Sequence, residues 1–156
     1  MKRVFDQFLT SRLSTRIRPR QGPAFWLSSV LVAPPVAWLV ASRYGLIHGD
    51  PLRDLTILAL WSIVEEAVFR GGVQATLLKK ISAEVAGVTA ANAITSLLFA
   101  SAHLWAHPPL VALGVLPVSL VLGAAYERSG ERLGPPIALH LYFNALLYAA
   151  TGLRMP

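Results

Sequence analysis

Long apolar stretches follow one another along most of this sequence, and they limit its fold more than any other feature. Five of them have the length of about 17–25 residues that a helix needs to cross a bilayer. They run over residues 24–44, 54–78, 83–106, 109–127 and 134–153. A bilayer core offers the backbone no hydrogen-bond partners, so such stretches must be helical. The sequence therefore predicts an all-α fold, a polytopic membrane bundle of about five transmembrane helices in one domain, 24–156.

Composition agrees with a membrane protein. Hydrophobic residues make up 54% of the chain and charged residues 14%, whereas soluble domains have about 25% charged residues. Cysteine is absent, which excludes disulfides and thiolate chemistry.

Positive charge is concentrated near the N-terminus. The net charge is +6, and much of the lysine and arginine lies before residue 21. Residues 1–23 are interpreted as a basic cytoplasmic segment that contacts anionic lipid, and Lys79, Lys80 and Arg132 fall on the same predicted side. This bias predicts a cytoplasmic N-terminus. Nucleic-acid binding is not expected, because no basic face has aromatic residues interleaved with it.

Several polar residues lie inside the apolar stretches, where a charge costs about 2.5–3.5 kcal/mol on insertion scales. They are Glu65, Glu66, Arg70, Gln74, Asn92, His103, His140 and Asn144. Residues of this kind usually face the interior of a bundle and mark a functional site.

The diglutamate has a specific relation to the arginine. Glu66 and Arg70 are four residues apart, so in a helix they share a face and can form an ion pair. Glu65 lies about 100° further round the helix and needs another partner. A carboxylate that is not neutralised by a neighbour suits the role of general base. The alternative is a purely structural Glu–Arg pair, with Glu65 reaching a water-filled groove.

The histidines allow more than one interpretation. Phe99, His103 and His107 follow at intervals of four; His103 alone could be an ordinary histidine at the membrane interface. A helical two-histidine metal pair is disfavoured, because Pro108 is expected to end the helix just after His107.

His140 and Asn144 share one face of the last predicted helix. Together they could donate hydrogen bonds to an oxyanion. They could equally form a polar clamp between helices.

Together these residues indicate hydrolytic chemistry. Ser62, Ser96 and Ser101 lack the Gly-x-Ser-x-Gly context of a serine nucleophile. A water-activating glutamate or a Glu/His metal site fits better.

Three motifs resemble one known family. They are "EEAVFRG" at 65–71, "LLFASAHL" at 97–104, and "GAAYERSG" at 123–130 followed by "PPIALHLYFNALL" at 135–147. In this order they resemble the CPBP family, which includes CAAX prenyl endopeptidases of the Ras-converting type and bacterial Abi proteins. The resemblance extends over residues 60–150.

The resemblance implies a glutamate-dependent intramembrane protease, a hydrolase. It implies that Glu65 activates water with His103 as its partner, and that His140 and Asn144 stabilise the oxyanion. The supporting residues would be Glu66, Arg70 and Phe99. No metal and no cofactor is required on this view; a zinc ion held by Glu65, His103 and His140 is the minority alternative.

The chain has fewer predicted helices than typical members, as a trimmed core of the family would. Short members resembling myxosortases make a C-terminal sorting signal a candidate substrate beside a CAAX-like tail. The expected partners are a membrane-anchored protein and the lipid bilayer, in the cytoplasmic membrane of a bacterium or archaeon. A non-enzymatic membrane scaffold or immunity-type protein is the other main interpretation. A proton-coupled transporter is disfavoured by the lack of an inverted repeat.

Overall fold

A computed structural model of the protein describes residues 24, 25, 27–31 and 50–152. Its elements are α1 (Pro51–Glu66), a π-helix (Ala67–Gln74), α2 (Ala75–Lys80), β1 (Glu84–Val85), β2 (Val88–Thr89), α3 (Ala90–His103), α4 (Pro109–Arg128) and α5 (Gly134–Gly152). The described chain is mostly helical, which confirms the predicted all-α class. The basic segment 1–23 and most of the predicted span 24–44 lie outside the described residues.

The longest helical stretch contains the diglutamate. α1, the π-helix and α2 follow one another directly, and together they include the whole predicted span 54–78. The N-terminus of α1 is set by Asp50, whose carboxylate accepts a hydrogen bond from the Leu52 backbone N–H at 2.9 Å. Pro51 occupies the first turn, where its missing N–H costs nothing. α4 and α5 likewise agree closely with the predicted spans 109–127 and 134–153.

The prediction of a helix from residue 83 onward is wrong in its first turns. Residues 84–89 form a short antiparallel hairpin instead. Its turn residues, Ala86 and Gly87, have φ angles of 50° and 81°, which a right-handed helix does not contain. α3 begins only after Thr89, whose hydroxyl accepts a backbone N–H of the first turn. An apolar composition alone did not reveal this turn.

Many of the buried side chains of the described bundle are polar, and many large apolar side chains lie exposed on its outside. The buried polar residues of α1, the π-helix and α3–α5 are Ser62, Glu66, Arg70, Gln74, Asn92, Thr95, Ser96, Ser119, Glu127 and His140. Leu60 and Trp61 are each 59% exposed, and Leu113 is 64% exposed. In water, exposed apolar surface costs about 25 cal/mol per Å² relative to burial. Surrounding hydrocarbon removes that cost, so this distribution suits a lipid environment.

By length and composition, one helix among the described residues, Pro109–Arg128, could cross a membrane. α3 has 14 residues, fewer than the length of about 17–25 residues that a perpendicular span needs. The number of transmembrane helices therefore stays a prediction.

α4 lies between α3 and α5 and orients the last helix. Leu122 and Ala125 of α4 form an apolar core with Leu139 of α5, and Phe143 packs against it. Because neighbours on a helix differ by about 100° in direction, the residue after Leu139 is turned away from this core. That residue is His140, and it faces α1.

Gly123 of α4 lies against side chains of both α3 and the π-helix. A Cβ placed there would overlap the Asn92 side chain and would lie 2.9 Å from Gln74 Oε1. We expect Gly123→Ala to lower the thermal unfolding temperature in detergent, because overpacking of this kind costs about 1–3 kcal/mol. Gly114→Ala is the matched control, since nothing lies within 4 Å of a Cβ at that position of the same helix. Equal unfolding temperatures for the two variants would contradict the close approach.

Candidate active site

The π-helix brings two polar side chains into the interior. Arg70 and Gln74 both lie in this segment and are fully buried. Gly71 and Gly72 stand between them, and glycine lowers the preference for regular α-helix by about 1 kcal/mol per residue. Short π segments are frequent at functional sites. The departure from α geometry therefore coincides with the most polar part of the interior.

Arg70 joins four elements. Its Nε donates to Glu66 Oε2 at 3.0 Å, its Nη1 to Gln74 Oε1 at 3.3 Å, and its Nη2 to Ser119 Oγ at 2.8 Å. The guanidinium also lies over the Phe99 ring, 5.5 Å from the centroid, as in a cation–π contact. The predicted ion pair between Glu66 and Arg70 is thus confirmed, and it is completely buried.

His140 lies between the two glutamates. Its Nδ1 is 3.0 Å from Glu66 Oε1, and its Nε2 is 3.6 Å from Glu65 Oε2. Since Arg70 holds Glu66 as a carboxylate, Nδ1 is the donor to Glu66. The second distance is longer than a direct N–H···O hydrogen bond of about 2.7–3.2 Å. The Nε2 edge of the ring is therefore still available to an oxygen atom that enters beside Glu65.

The two adjacent glutamates consequently differ in environment. Glu66 is fully buried, and its two carboxylate oxygens are taken by Arg70 and His140. The Glu65 side chain is 27% exposed, and its ion-pair partner in the described part of the chain is His140 at 3.6 Å. Glu65 is thus the carboxylate that a water molecule or a substrate can reach.

His103 is the last residue of α3. Its Nδ1 lies 2.9 Å from the Phe99 carbonyl oxygen, and its ring is stacked on that of His107. The Phe99 ring packs against both histidines of the site, with centroid distances of 4.7 Å to His103 and 6.0 Å to His140. Within the described residues no hydrogen bond or ion pair joins His103 to Glu65. The Glu65–His103 partnership therefore stays a prediction.

Asn144 faces α1 from the same side of α5 as His140. Its Nδ2 donates to Ser62 Oγ at 2.9 Å. Ser62 is one turn before Glu66, and Asn144 is one turn after His140. The Glu66–His140 and Ser62–Asn144 hydrogen bonds therefore lie one turn apart along two antiparallel helices. The structure thus places Glu65, Glu66, His140 and Asn144 at one α1–α5 interface.

A second set of polar contacts extends from Arg70 to the C-terminal end of α4. Ser119 donates to Ser96, and Ser96 donates to Asn92 Oδ1, both at 3.1 Å. Gln74 Nε2 donates to Glu127 Oε1 at 2.9 Å. These hydrogen bonds connect α3 and the π-helix to α4.

Sequence reasoning did not assign Ser62, Ser96, Ser119 or Glu127 to this interior. The sequence does contain a pattern that points to two of these residues, because each lies four residues from a polar residue that was singled out. Ser62 precedes Glu66 by four residues, and Ser96 follows Asn92 by four. Serine and threonine are common enough in membrane helices that the interval alone does not single them out.

Within the described residues, no group of three or more His, Asp or Glu side chains is arranged to hold a metal ion. Zinc held by Glu65, His103 and His140 would need all three within about 2.2 Å of one point. In the structure His103 Nδ1 lies 2.9 Å from the Phe99 carbonyl oxygen, and the Phe99 ring packs against both histidine rings. The part of the chain that the structure describes therefore gives no support to the zinc alternative.

A polar site of two glutamates, an arginine and a histidine, enclosed by helices with an apolar outer surface, is the arrangement expected of a functional site inside a membrane protein. The sequence matches the Rce1-like family, described as type II CAAX prenyl endopeptidase Rce1-like, over residues 48–146. The match covers more than half of the chain, so the protein belongs to this family of membrane-embedded proteases, and the resemblance read from the motifs is confirmed. Comparisons with curated proteins and with solved structures gave no match.

Proposed function

We propose that this protein is a glutamate-dependent intramembrane endopeptidase that cleaves a membrane-anchored protein near its C-terminal segment. The observation that carries the proposal is the unequal environment of the two glutamates. Glu66 is buried and fixed by Arg70 and His140, whereas Glu65 is reachable and more loosely paired. A base must be able to accept a proton from water, so Glu65 has the position that the reaction requires.

In the proposed reaction, Glu65 removes a proton from a water molecule whose oxygen attacks the scissile carbonyl carbon. The carbonyl oxygen becomes an oxyanion, and donors on α5 stabilise it. The candidates are the Asn144 carboxamide and, one turn away, His140 Nε2, which donates in the imidazolium form, where both ring nitrogens carry a hydrogen. Glu65 then returns the proton to the leaving amine. His103 is the proposed partner of Glu65 in these transfers, and Phe99 positions its ring.

The roles of Glu66 and Arg70 follow from their burial. The ion pair fixes one carboxylate oxygen of Glu66, and the other oxygen then orients the His140 ring. Such a preorganised arrangement lowers the cost of reaching the transition state. We assign these residues to support of the site rather than to contact with the substrate.

We also propose that the described helices belong to a polytopic membrane bundle with a cytoplasmic N-terminus, in a bacterial or archaeal cytoplasmic membrane. The apolar outer surface and the positions of Lys79 and Lys80 support this arrangement. The proposed substrate carries a CAAX-like tail or a C-terminal sorting signal. The CAAX-like tail follows from the family, and the sorting signal is the alternative substrate to be compared with it.

The proposal predicts metal-independent cleavage. Purified protein in detergent is incubated with a farnesylated CAAX peptide, the same peptide without the prenyl group, and a peptide with a C-terminal hydrophobic sorting helix. We expect mass spectrometry to detect cleavage of at least one anchored peptide, at a rate that excess EDTA leaves unchanged. EDTA-sensitive cleavage restored by zinc would contradict the glutamate mechanism. A folded protein that cleaves none of the peptides would favour a non-enzymatic membrane scaffold.

A further inference from the structure

Ser62 is a buried hydroxyl at the interface between α1 and α5. It is fully buried and lies one turn before Glu66 on α1. Its hydroxyl donates to the Leu58 carbonyl oxygen at 2.8 Å, and its oxygen accepts from Asn144 Nδ2 at 2.9 Å. The Ser62 hydroxyl thus donates one hydrogen bond and accepts another, and neither involves a glutamate.

The direction of these two hydrogen bonds orients the Asn144 carboxamide. A serine hydroxyl has one hydrogen, and here it goes to Leu58. The oxygen of Ser62 can then only accept, so the amide nitrogen of Asn144, and not its oxygen, must face α1. Among the described residues the Asn144 carboxamide makes no other hydrogen bond, which leaves its second N–H able to donate to an incoming carbonyl oxygen.

The same interface orients the neighbouring donor. One turn away from Asn144, the Nδ1 edge of His140 is held by Glu66, which leaves its Nε2 edge free to face a substrate. Two α1 side chains four residues apart thus orient two α5 side chains four residues apart. Because both contacts lie on regular helix, the separation between the two donors is set by helix geometry.

We infer that Ser62 is a positioning residue, which acts through Asn144 by holding its carboxamide with an N–H toward the substrate carbonyl. This inference rests on the proposed protease function. Hydrogen-bond donors lower the barrier most when they already point at the position of the oxyanion before the reaction begins. Ser62 thereby contributes to the rate without touching the substrate.

The kinetic test is a double-mutant cycle on the cleavage of the anchored peptide that the wild type prefers. Removing a whole oxyanion donor lowers kcat by about 10²–10³-fold. Ser62→Ala keeps the Asn144 donor and removes only the hydrogen bond that orients it, so kcat should fall on the order of tenfold. KM should stay unchanged. In an Asn144→Ala background, Ser62→Ala should have no further effect on kcat. The matched control is Thr56→Ala, which removes another α1 hydroxyl bonded to the carbonyl four residues earlier. If Ser62→Ala lowers kcat by the same factor in the wild type and in the Asn144→Ala background, the inference is wrong.

A second measurement does not depend on activity. In detergent micelles, the side-chain amide resonances of Asn144 are followed by nitrogen-15 NMR in the wild type, Ser62→Ala and Thr56→Ala. We expect Ser62→Ala alone to move the hydrogen-bonded amide proton upfield. Unchanged Asn144 resonances would overturn the positioning role even if activity fell. A shifted resonance in a protein that cleaves no peptide would leave the positioning intact and would instead overturn the proposed function.

Discussion

Glu65→Gln is expected to abolish peptide cleavage while the protein stays folded and inserted in the membrane. Glutamine has nearly the shape of glutamate but cannot accept a proton from water, and loss of a general base typically costs about 10²–10⁴-fold in rate. The side chain is 27% exposed and does not neutralise Arg70, so its charge is not needed for the buried ion pair. kcat/KM and the thermal unfolding temperature should be measured on the same preparation.

The control for this variant is Glu131→Gln, which makes the same chemical change at an exposed position after α4. It should leave both quantities unchanged. Retained cleavage by Glu65→Gln would contradict the assignment of Glu65 as the base. A large loss of stability in Glu65→Gln, in a protein whose wild type cleaves none of the peptides, would favour the scaffold interpretation, in which the polar cluster serves packing alone.

Arg70→Met is expected to cause the largest loss of stability of any single change in the site. The variant leaves the Glu66 carboxylate fully buried and removes the donors to Gln74 and Ser119. Removing one partner of a buried ion pair costs about 3–5 kcal/mol, because the other charge stays desolvated. The thermal unfolding temperature in detergent should fall sharply, and cleavage should be lost with it.

A double variant tests whether the loss of stability comes from the buried Glu66 charge or from the lost packing of the Arg70 side chain. Glu66→Gln combined with Arg70→Met no longer buries an uncompensated charge, so it should be more stable than Arg70→Met alone. Arg132→Met, at an exposed position in the α4–α5 connection, is the control for losing an arginine elsewhere. If the double variant is no more stable than Arg70→Met, the uncompensated charge of Glu66 is not the cause of the loss.

Local spacing predicted those parts of the site that depend on one helix. Glu66 and Arg70 pair because residues four apart share a helix face, and the same rule put His140 and Asn144 on one side of α5. Likewise, the apolar stretches predicted α4 and α5 to within a few residues, because in lipid a helix pairs the polar N–H and C=O groups of the backbone with one another.

Spacing was uninformative where the backbone left regular α-helix. The hairpin at residues 84–89 interrupts an apolar stretch that resembles a helix in composition, and its turn depends on positive φ angles at Ala86 and Gly87. The π-helix was also not predicted, since one additional residue in a turn leaves no clear pattern of apolar positions. Both features decide which side chains of the flanking helices point inward.

The sequence by itself determined that this protein is an all-α member of a membrane-embedded protease family, and which of its polar residues share a helix face. Only the tertiary structure decided which faces meet. It placed His140 beside Glu65, and it paired Asn144 with Ser62. The reason is that contacts within a helix follow from 3.6 residues per turn, whereas contacts between helices depend on their relative register. That register is set here by close packing at Gly123 and by the apolar core around Leu122.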